Sequence, residues 1–306
     1  MTARMEASST TAGGSRRAPV HAVLATVRPR QWVKNALVIA AAGAAGALGD
    51  DEILAHVALA FVAFCLLSSG IYAINDVHDA AEDRRHPRKR LRPVASGELD
   101  PRVATSLGFA LMVAGLVLCA VIHPIVAVVG AAYLGLTLSY TLVWRRIALL
   151  DVLAIAGGFV LRAVAGGVAA PVSLSAWFLL VISFAAVFVA VGKRQSELIR
   201  FETRPGAGRR ALASYTPFVL GVMLTGSAAL TLFAYSMWAF ELPAFDGVPW
   251  RPLTIVPFAA CLLRYRQLVH AGQAEAPEDV LLRDRWLQAM GAVWLIVFAL
   301  GVHAAV

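Results

Sequence analysis

Residues 75 to 83 read Asn75, Asp76, Val77, His78, Asp79, Ala80, Ala81, Glu82 and Asp83, so that four acidic side chains crowd the point where the apolar run Ile53 to Ile74 ends. If the segment is helical, at about 100° of rotation per residue, Asp76, Asp79 and Asp83 fall within about 60° of one another, with Asn75 beside them. Carboxylates gathered on one helix face repel each other, so the face calls for a compensating positive charge. Oxygen donors of this kind suit a hard divalent cation. Mg2+ carried on a polyphosphate meets the requirement, with Asn75, Asp76, Asp79 and Asp83 as ligands and Asp76 and Asp79 nearest the chemistry. The plain alternative is a solvated helix end, but acids at the edge of a membrane span are costly when they have no function.

Directly after the acids comes Arg84, Arg85, His86, Pro87, Arg88, Lys89, Arg90, Leu91, Arg92 and Pro93, a loop that sets many cations beside many anions. A diphosphate bridged by a divalent metal needs both: oxygens for the metal and Arg or Lys for the remaining phosphate charge. Alone, such a loop would equally serve as an anchor on anionic lipid. His86 is expected to shape the loop or touch phosphate, with no metal role.

The elements that must position these residues are written in the hydropathy. Of 306 residues, 59% are hydrophobic, and the mean hydropathy is +0.71, far outside the soluble range. Apolar runs of roughly 20 residues, the length that crosses a bilayer core, recur along nearly the whole chain. The expected fold is all-α and polytopic, with about nine spans near 33–49, 53–74, 103–122, 124–144, 147–169, 174–192, 217–240, 250–268 and 287–306. The eighth is the weakest, because Pro252 and Pro257 interrupt it. All Lys and Arg except Arg162 and Arg251 fall on the side of the N-terminal tail, which places the tail and the acids in the cytoplasm of a plasma-membrane protein. The net charge of +8 is spread over short loops between spans, a pattern of orientation and not of nucleic-acid binding. Cys65, Cys119 and Cys261 lie within apolar runs without metal-binding or paired spacing, and are expected to be inert. Residues 1–27 lack a sustained apolar face and are expected to be a disordered cytoplasmic tail that is not cleaved, leaving 28–306 as a single transmembrane domain.

Several stretches together carry a likeness. Asn75, Asp76, Asp79 and Asp83 resemble the first aspartate-rich motif of the UbiA superfamily of intramembrane prenyltransferases. The run Arg28 to Asn35 is similar to that superfamily's approach to its first helix, and Ser139, Tyr140 and Arg145 followed by Leu150, Asp151 and Val152 resemble its segment at helices four and five. Where the aromatic prenyltransferases carry a second acidic motif, this chain has Gly192, Lys193, Arg194, Gln195, Ser196, Glu197 and Leu198, in which only Glu197 is acidic. Lys and Arg there hold bare phosphate, whereas carboxylates would hold more metal. With the basic loop and the Arg28 to Asn35 run, this departure resembles the decaprenyl-phosphate phosphoribosyltransferase branch.

That resemblance implies helices around a central cavity open to the cytoplasm, and transfer of 5-phosphoribose from phosphoribosyl pyrophosphate (PRPP) to decaprenyl phosphate, with Mg2+ as cofactor, for arabinan and cell-wall synthesis. The lipid phosphate is already an anion at neutral pH, so no activated Ser, Cys or His is needed. Lys34, Lys89, Arg92, Lys193 and Arg194 are the candidates for phosphate contacts, with Tyr140 and Arg145 at the cavity rim. The other readings are prenyl transfer to an aromatic or haem acceptor, against which the missing second acidic motif argues, and a transporter or lipid flippase, which would be expected to show repeated halves. A homo-oligomer stays open. Asp151 and Arg162 lie about 16 Å apart along one helix and cannot pair, so each is expected to face a polar interior. The pairs Gly157 with Gly158 and Gly166 with Gly167 point to close helix packing. The roles of Asp151, Arg162 and Glu197 are not set by sequence.

Overall fold

In lipid, a long apolar run has one economical conformation, a helix that satisfies its own backbone hydrogen bonds. The computed structural model describes residues 20–142, 147, 149–203, 216–241 and 248–303, and every regular helix-length element among them is helical. In chain order these are α1 (Val20–Val27), a 3-10 segment (Pro29–Ala36), α2 (Leu37–Ala44), α3 (Asp51–Asp83), α4 (Pro93–Ser96), α5 (Pro101–Ile122), α6 (Pro124–Leu142) and α7 (Leu150–Ala169). There follow α8 (Ala176–Thr203), α9 (Pro217–Phe240), α10 (Trp250–Leu253), α11 (Ile255–His270), α12 (Pro277–Arg283) and α13 (Arg285–His303).

Seven of these, α3, α5, α6, α7, α8, α9 and α13, are long and apolar enough to cross a membrane. The chain is an integral membrane protein. The first and eighth of the nine expected spans are broken, which makes nine an approximate count. Residues 29–44 divide into the 3-10 segment and α2, and residues 250–270 divide at Thr254 between α10 and α11. Pro252 and Pro257 each fall in the first turn of a helix, where a missing N–H costs no helical hydrogen bond.

One expectation about the tail is corrected. Residues 20–27 form α1, with Ala22 and Thr26 buried; Ala22 packs with Ala80, Val94, Leu99 and Ala104. The apolar Val20, Val23, Leu24 and Val27 were the available signal. Residues 1–19 lie outside the described part of the chain.

Close approach between helices relies on small residues, as is usual where lipid gives no hydrophobic drive to helix association. A Cβ on Gly166 of α7 would stand 1.8 Å from the Val38 carbonyl oxygen of α2, and one on Gly70 of α3 would stand 2.6 Å from that of Gly108 on α5. Outward faces are apolar in the manner lipid requires: Phe109, Val113, Val117 and Val121, four residues apart on α5, are all exposed. Apolar packing gathers on either side of α7, with Phe64, Leu67, Ile71 and Tyr133 in one cluster and Phe188, Val191, Leu220 and Val269 in another. Polar side chains collect between them.

Candidate functional site

Helix α3 does not stop where its apolar run does, so Asn75, Asp76, Asp79 and Asp83 all lie on its last turns as the spacing predicts. Asp76 and Asp83 are buried. Arg28 donates a hydrogen bond to Asp76 Oδ1, and Arg92 Nη1 stands 3.3 Å from the same oxygen and 2.7 Å from Asp83 Oδ2. The loop cation Arg92 is thus paired with both buried acids.

Arg28 was not among the expected phosphate contacts. It adopts a left-handed conformation (φ 53°, ψ 64°) immediately before Pro29, and its guanidinium lies 4.9 Å from the centre of the Tyr72 ring. An L-residue held there costs roughly 1–2 kcal/mol, which the ion pair to Asp76 helps to offset. The backbone turn aims the guanidinium at the acids.

Among the described residues, no three His, Cys, Asp or Glu side chains gather into a cage for a metal. Asp83 is engaged with Arg92. Two buried oxygens, Asn75 Oδ1 and Asp76 Oδ2, have no hydrogen-bond partner. Such a donor set still fits Mg2+, which is ordinarily held by one or two carboxylates together with water and substrate phosphate, not by an all-protein cage.

The loop after α3 is shaped by His86, whose Nδ1 accepts from the backbone N–H groups of Arg88 and Lys89, each at 3.2 Å. Burial, then the charge of Lys89, holds the imidazole below its ordinary 6.5, and the neutral ring is the form that can accept. Lys89 begins the short turn Lys89–Leu91 and is half-buried.

Beside the acids runs the 3-10 segment, 8 residues long where runs beyond three or four are uncommon. It is pinned from several sides. Trp32 Nε1 donates to Ser69 Oγ at 3.0 Å, and Ser69 Oγ donates to the Val27 carbonyl at 2.8 Å. Lys34 Nζ meets Glu278 Oε2 of α12 at 3.1 Å, and Gln31 donates to Glu278 Oε1 at 2.6 Å. Burial pushes the Glu278 carboxyl up, but Lys34 and Gln31 together outweigh it and hold the group below its ordinary 4.5. Asn35 is fully buried: its Oδ1 accepts from Arg162 Nε at 2.7 Å, and its Nδ2 donates to Cys65 Sγ at 3.2 Å and Ser68 Oγ at 3.4 Å.

At α8 the charges are arranged differently. Arg194 is 1% exposed; its Nε lies 2.6 Å from Asp151 Oδ2, its Nη1 donates to Glu197, and its Nη2 donates to Tyr140 at 3.4 Å. Expected as a phosphate contact, Arg194 here bridges α6, α7 and α8, its guanidinium meeting two carboxylates. Tyr140 belongs to the same bridge. Lys193, one residue back and half-buried, stays the candidate of the pair. Arg145 lies outside the described residues.

The structure thus gathers Asp76, Asp83, Arg28 and Arg92 at the end of α3, with Asn75 beside them and Tyr72 against Arg28, while Lys34 pairs with Glu278 between the 3-10 segment and α12. A cavity of about 370 Å³ between α11 and α13, lined by Ala260, Leu263, Arg264, Gln267 and Trp286, shares no residue with these groups.

With that geometry in view, similarity to known proteins is informative. The profile of the UbiA prenyltransferase family matches residues 36–302. The chain is 39% identical over 287 residues to the decaprenyl-phosphate phosphoribosyltransferase of Corynebacterium glutamicum, covering 92% of this chain and 86% of that one. It is 40% identical over 288 residues to the protein of the same name from Mycolicibacterium smegmatis, covering 90% and 91% of the two chains. Its fold is similar to that of a UbiA homolog from Archaeoglobus fulgidus bound to GPP and Mg2+, with a TM-score of 0.71, 17% identity, and coverage of 92% of this chain and 99% of that one. At that identity the likeness concerns the fold alone.

Proposed function

The chain belongs to the UbiA prenyltransferase family, and within it we propose that this protein transfers 5-phosphoribose from PRPP to decaprenyl phosphate at the cytoplasmic face of the plasma membrane. The observation that carries the proposal is the identity of 39–40%, over 90% or more of the chain, to proteins named decaprenyl-phosphate phosphoribosyltransferase. The distribution of Lys and Arg supports the orientation.

In the proposed reaction an oxygen of the lipid phosphate forms a bond to the anomeric carbon of ribose while the bond from that carbon to pyrophosphate breaks. Pyrophosphate leaves with the electron pair, and no proton has to be removed from the nucleophile. Asp76 with Asn75 and Asp79 would hold Mg2+, which when bound would neutralise the charge developing on the leaving group. Lys34, Lys89, Arg92 and Lys193 bind phosphate oxygens and hold the donor with its anomeric carbon toward the membrane. Arg28 and Arg92 balance the buried acids, and both lie outside the long spans, where they are able to turn toward an incoming diphosphate. The 3-10 segment positions Lys34 through the contacts of Trp32 and Asn35.

The test is to incubate the purified protein with PRPP labelled in its ribose, decaprenyl phosphate and Mg2+, then extract lipid. Label in the lipid phase, with one pyrophosphate released per labelled lipid, is expected. A failure to label, alongside transfer of a prenyl chain from a prenyl diphosphate to an aromatic acceptor, would overturn the proposal in favour of prenyl transfer.

A further inference from the structure

A guanidinium stays charged in a protein and carries five N–H donors. Arg162, in the middle of α7 and 6% exposed, uses three: Nε to Asn35 Oδ1 at 2.7 Å, Nη1 to the Gly158 carbonyl at 2.8 Å and Nη2 to the Tyr133 hydroxyl at 2.8 Å. Its guanidinium carbon also lies 4.6 Å from the centre of the Tyr133 ring and 5.7 Å from that of Phe159. Every one of these partners is neutral. Arg28, Arg92 and Arg194 each pair with a carboxylate, whereas Arg162 has none within ion-pair distance among the described residues. A cation buried at membrane depth with neutral partners is expensive, and a neutral donor would tie Asn35 to Tyr133 without that expense. The charge itself is what the position retains.

The polar face of α3 gives the charge its context. From Asp83 and Asp76 it descends through Tyr72 to Ser69, Ser68 and Cys65, and Arg162 stands at its foot through Asn35, which bonds both Ser68 and Cys65. Tyr72, on the turn above, holds the Arg28 guanidinium 4.9 Å from its ring centre. Of the two anions in the proposed reaction, the donor is soluble in water and is drawn to the metal and cations at the cytoplasmic end. The acceptor hangs from a chain that lies in the hydrocarbon, so its phosphate approaches from the membrane side. A cation set into a span below the acids suits the second anion.

Resting on that choice of substrates, we propose that Arg162 binds the phosphate monoester of the acceptor lipid and holds its oxygen below the anomeric carbon. The same group occurs on the donor as its 5-phosphate, and the experiment separates the two sources. Binding of decaprenyl phosphate, uncharged decaprenol and PRPP is measured in detergent for the wild type, Arg162→Gln, Arg162→Lys and Asn35→Ala. Arg162→Gln is expected to lose affinity for decaprenyl phosphate by about tenfold or more, as for one charge-assisted contact, with decaprenol and PRPP within about twofold of wild type. Asn35→Ala, which keeps the cation and releases the 3-10 segment, is expected to keep the preference for phosphate over alcohol. Full preference in Arg162→Gln overturns the proposal, as does an equal loss in Asn35→Ala, which would make Arg162 a positioning residue. Loss for PRPP alone overturns it in favour of the donor 5-phosphate. Should Arg162→Gln not elute as a folded species, Arg162→Lys carries the test: a loss confined to the phosphate-bearing lipid supports the contact, and a parallel loss for decaprenol overturns it. If the wild type labels no lipid in the transfer assay, the proposed reaction fails while this binding comparison stands.

Discussion

At the end of α3 the carboxylates ride on the helix and the cations come from connecting segments, Arg28 from the turn before the 3-10 stretch and Arg92 from the basic loop. At α8 the cation rides on the helix, and its carboxylates come from packed helices, Asp151 on α7 and Glu197 one turn further along α8. Both regions are buried and both balance their charge. They differ in what is free to move. Loop cations can exchange a carboxylate for a phosphate by turning a side chain, whereas Arg194 would have to abandon two carboxylates held by rigid spans. The first region also holds two buried oxygens without a hydrogen-bond partner, Asp76 Oδ2 and Asn75 Oδ1, on consecutive residues of α3. Charge balance built from loops suits a site; charge balance built from helices suits a brace.

The sharpest break between the two comes from removing one charge in each. Asp76→Asn and Asp79→Asn, which keep the side-chain volume, are expected to lower turnover by about 10³-fold or more while the protein still elutes as a folded species. Near wild-type rates in either variant would remove the α3 acids from the chemistry. At α8, Arg194→Ala removes the guanidinium that Asp151 and Glu197 both meet, and a loss of about 3–5 kcal/mol in unfolding free energy is expected. Its folded fraction should keep the KM of both substrates within about twofold. A selective rise in KM with unchanged stability would make Arg194 a phosphate contact after all.

Local pattern carried the first region and not the second. The period of the acids along α3, the long spans and the basic loop are properties of neighbouring residues, and hydropathy with helical rotation is enough to place them. Arg28 on Asp76, Lys34 on Glu278 and Arg194 on Asp151 join segments far apart in the chain, and no periodicity within one helix says which helix stands beside it. The sequence does rule out the pairing of Asp151 with Arg162, because one helix fixes that distance, but it leaves their actual partners open. The 3-10 conformation of residues 29–36 was equally hidden. It depends on Trp32 and Asn35 being held from α3 and α7, a tertiary cause with no local signal.

Lys193 sharpens the comparison, since it is next to the brace in sequence and is proposed to serve the site. Lys193→Gln is expected to weaken use of one substrate by roughly 10- to 150-fold, equivalent to about 1.5–3 kcal/mol for a charge-assisted contact. Steady-state kinetics with each substrate varied in turn would identify which one. Unchanged kcat/KM for both would return Lys193 to the role of a topology anchor.

The smallest effect is expected where the two kinds of balance meet, at the Lys34 to Glu278 bridge between the 3-10 segment and α12. Burial raises the Glu278 carboxyl, but Lys34 and the Gln31 hydrogen bond prevail, so the folded protein takes up that proton less readily than the unfolded chain, whose group titrates near 4.5. The bridge therefore contributes its full stability above about 4.5 and loses it as the pH falls through the lower folded value. On the order of 1 kcal/mol is expected from such a pair. Glu278→Gln removes the charge at every pH, so the gap in unfolding midpoint between wild type and variant should be constant from pH 7 down to about 5 and close below 4.5. A gap that persists unchanged in acid would mean that the carboxylate is not what fastens α12 to the 3-10 segment. A gap that closes, with KM for PRPP raised in the variant at pH 7, would place this latch on the side of the site: Lys34 would then depend on Glu278 for its position as well as for its charge balance.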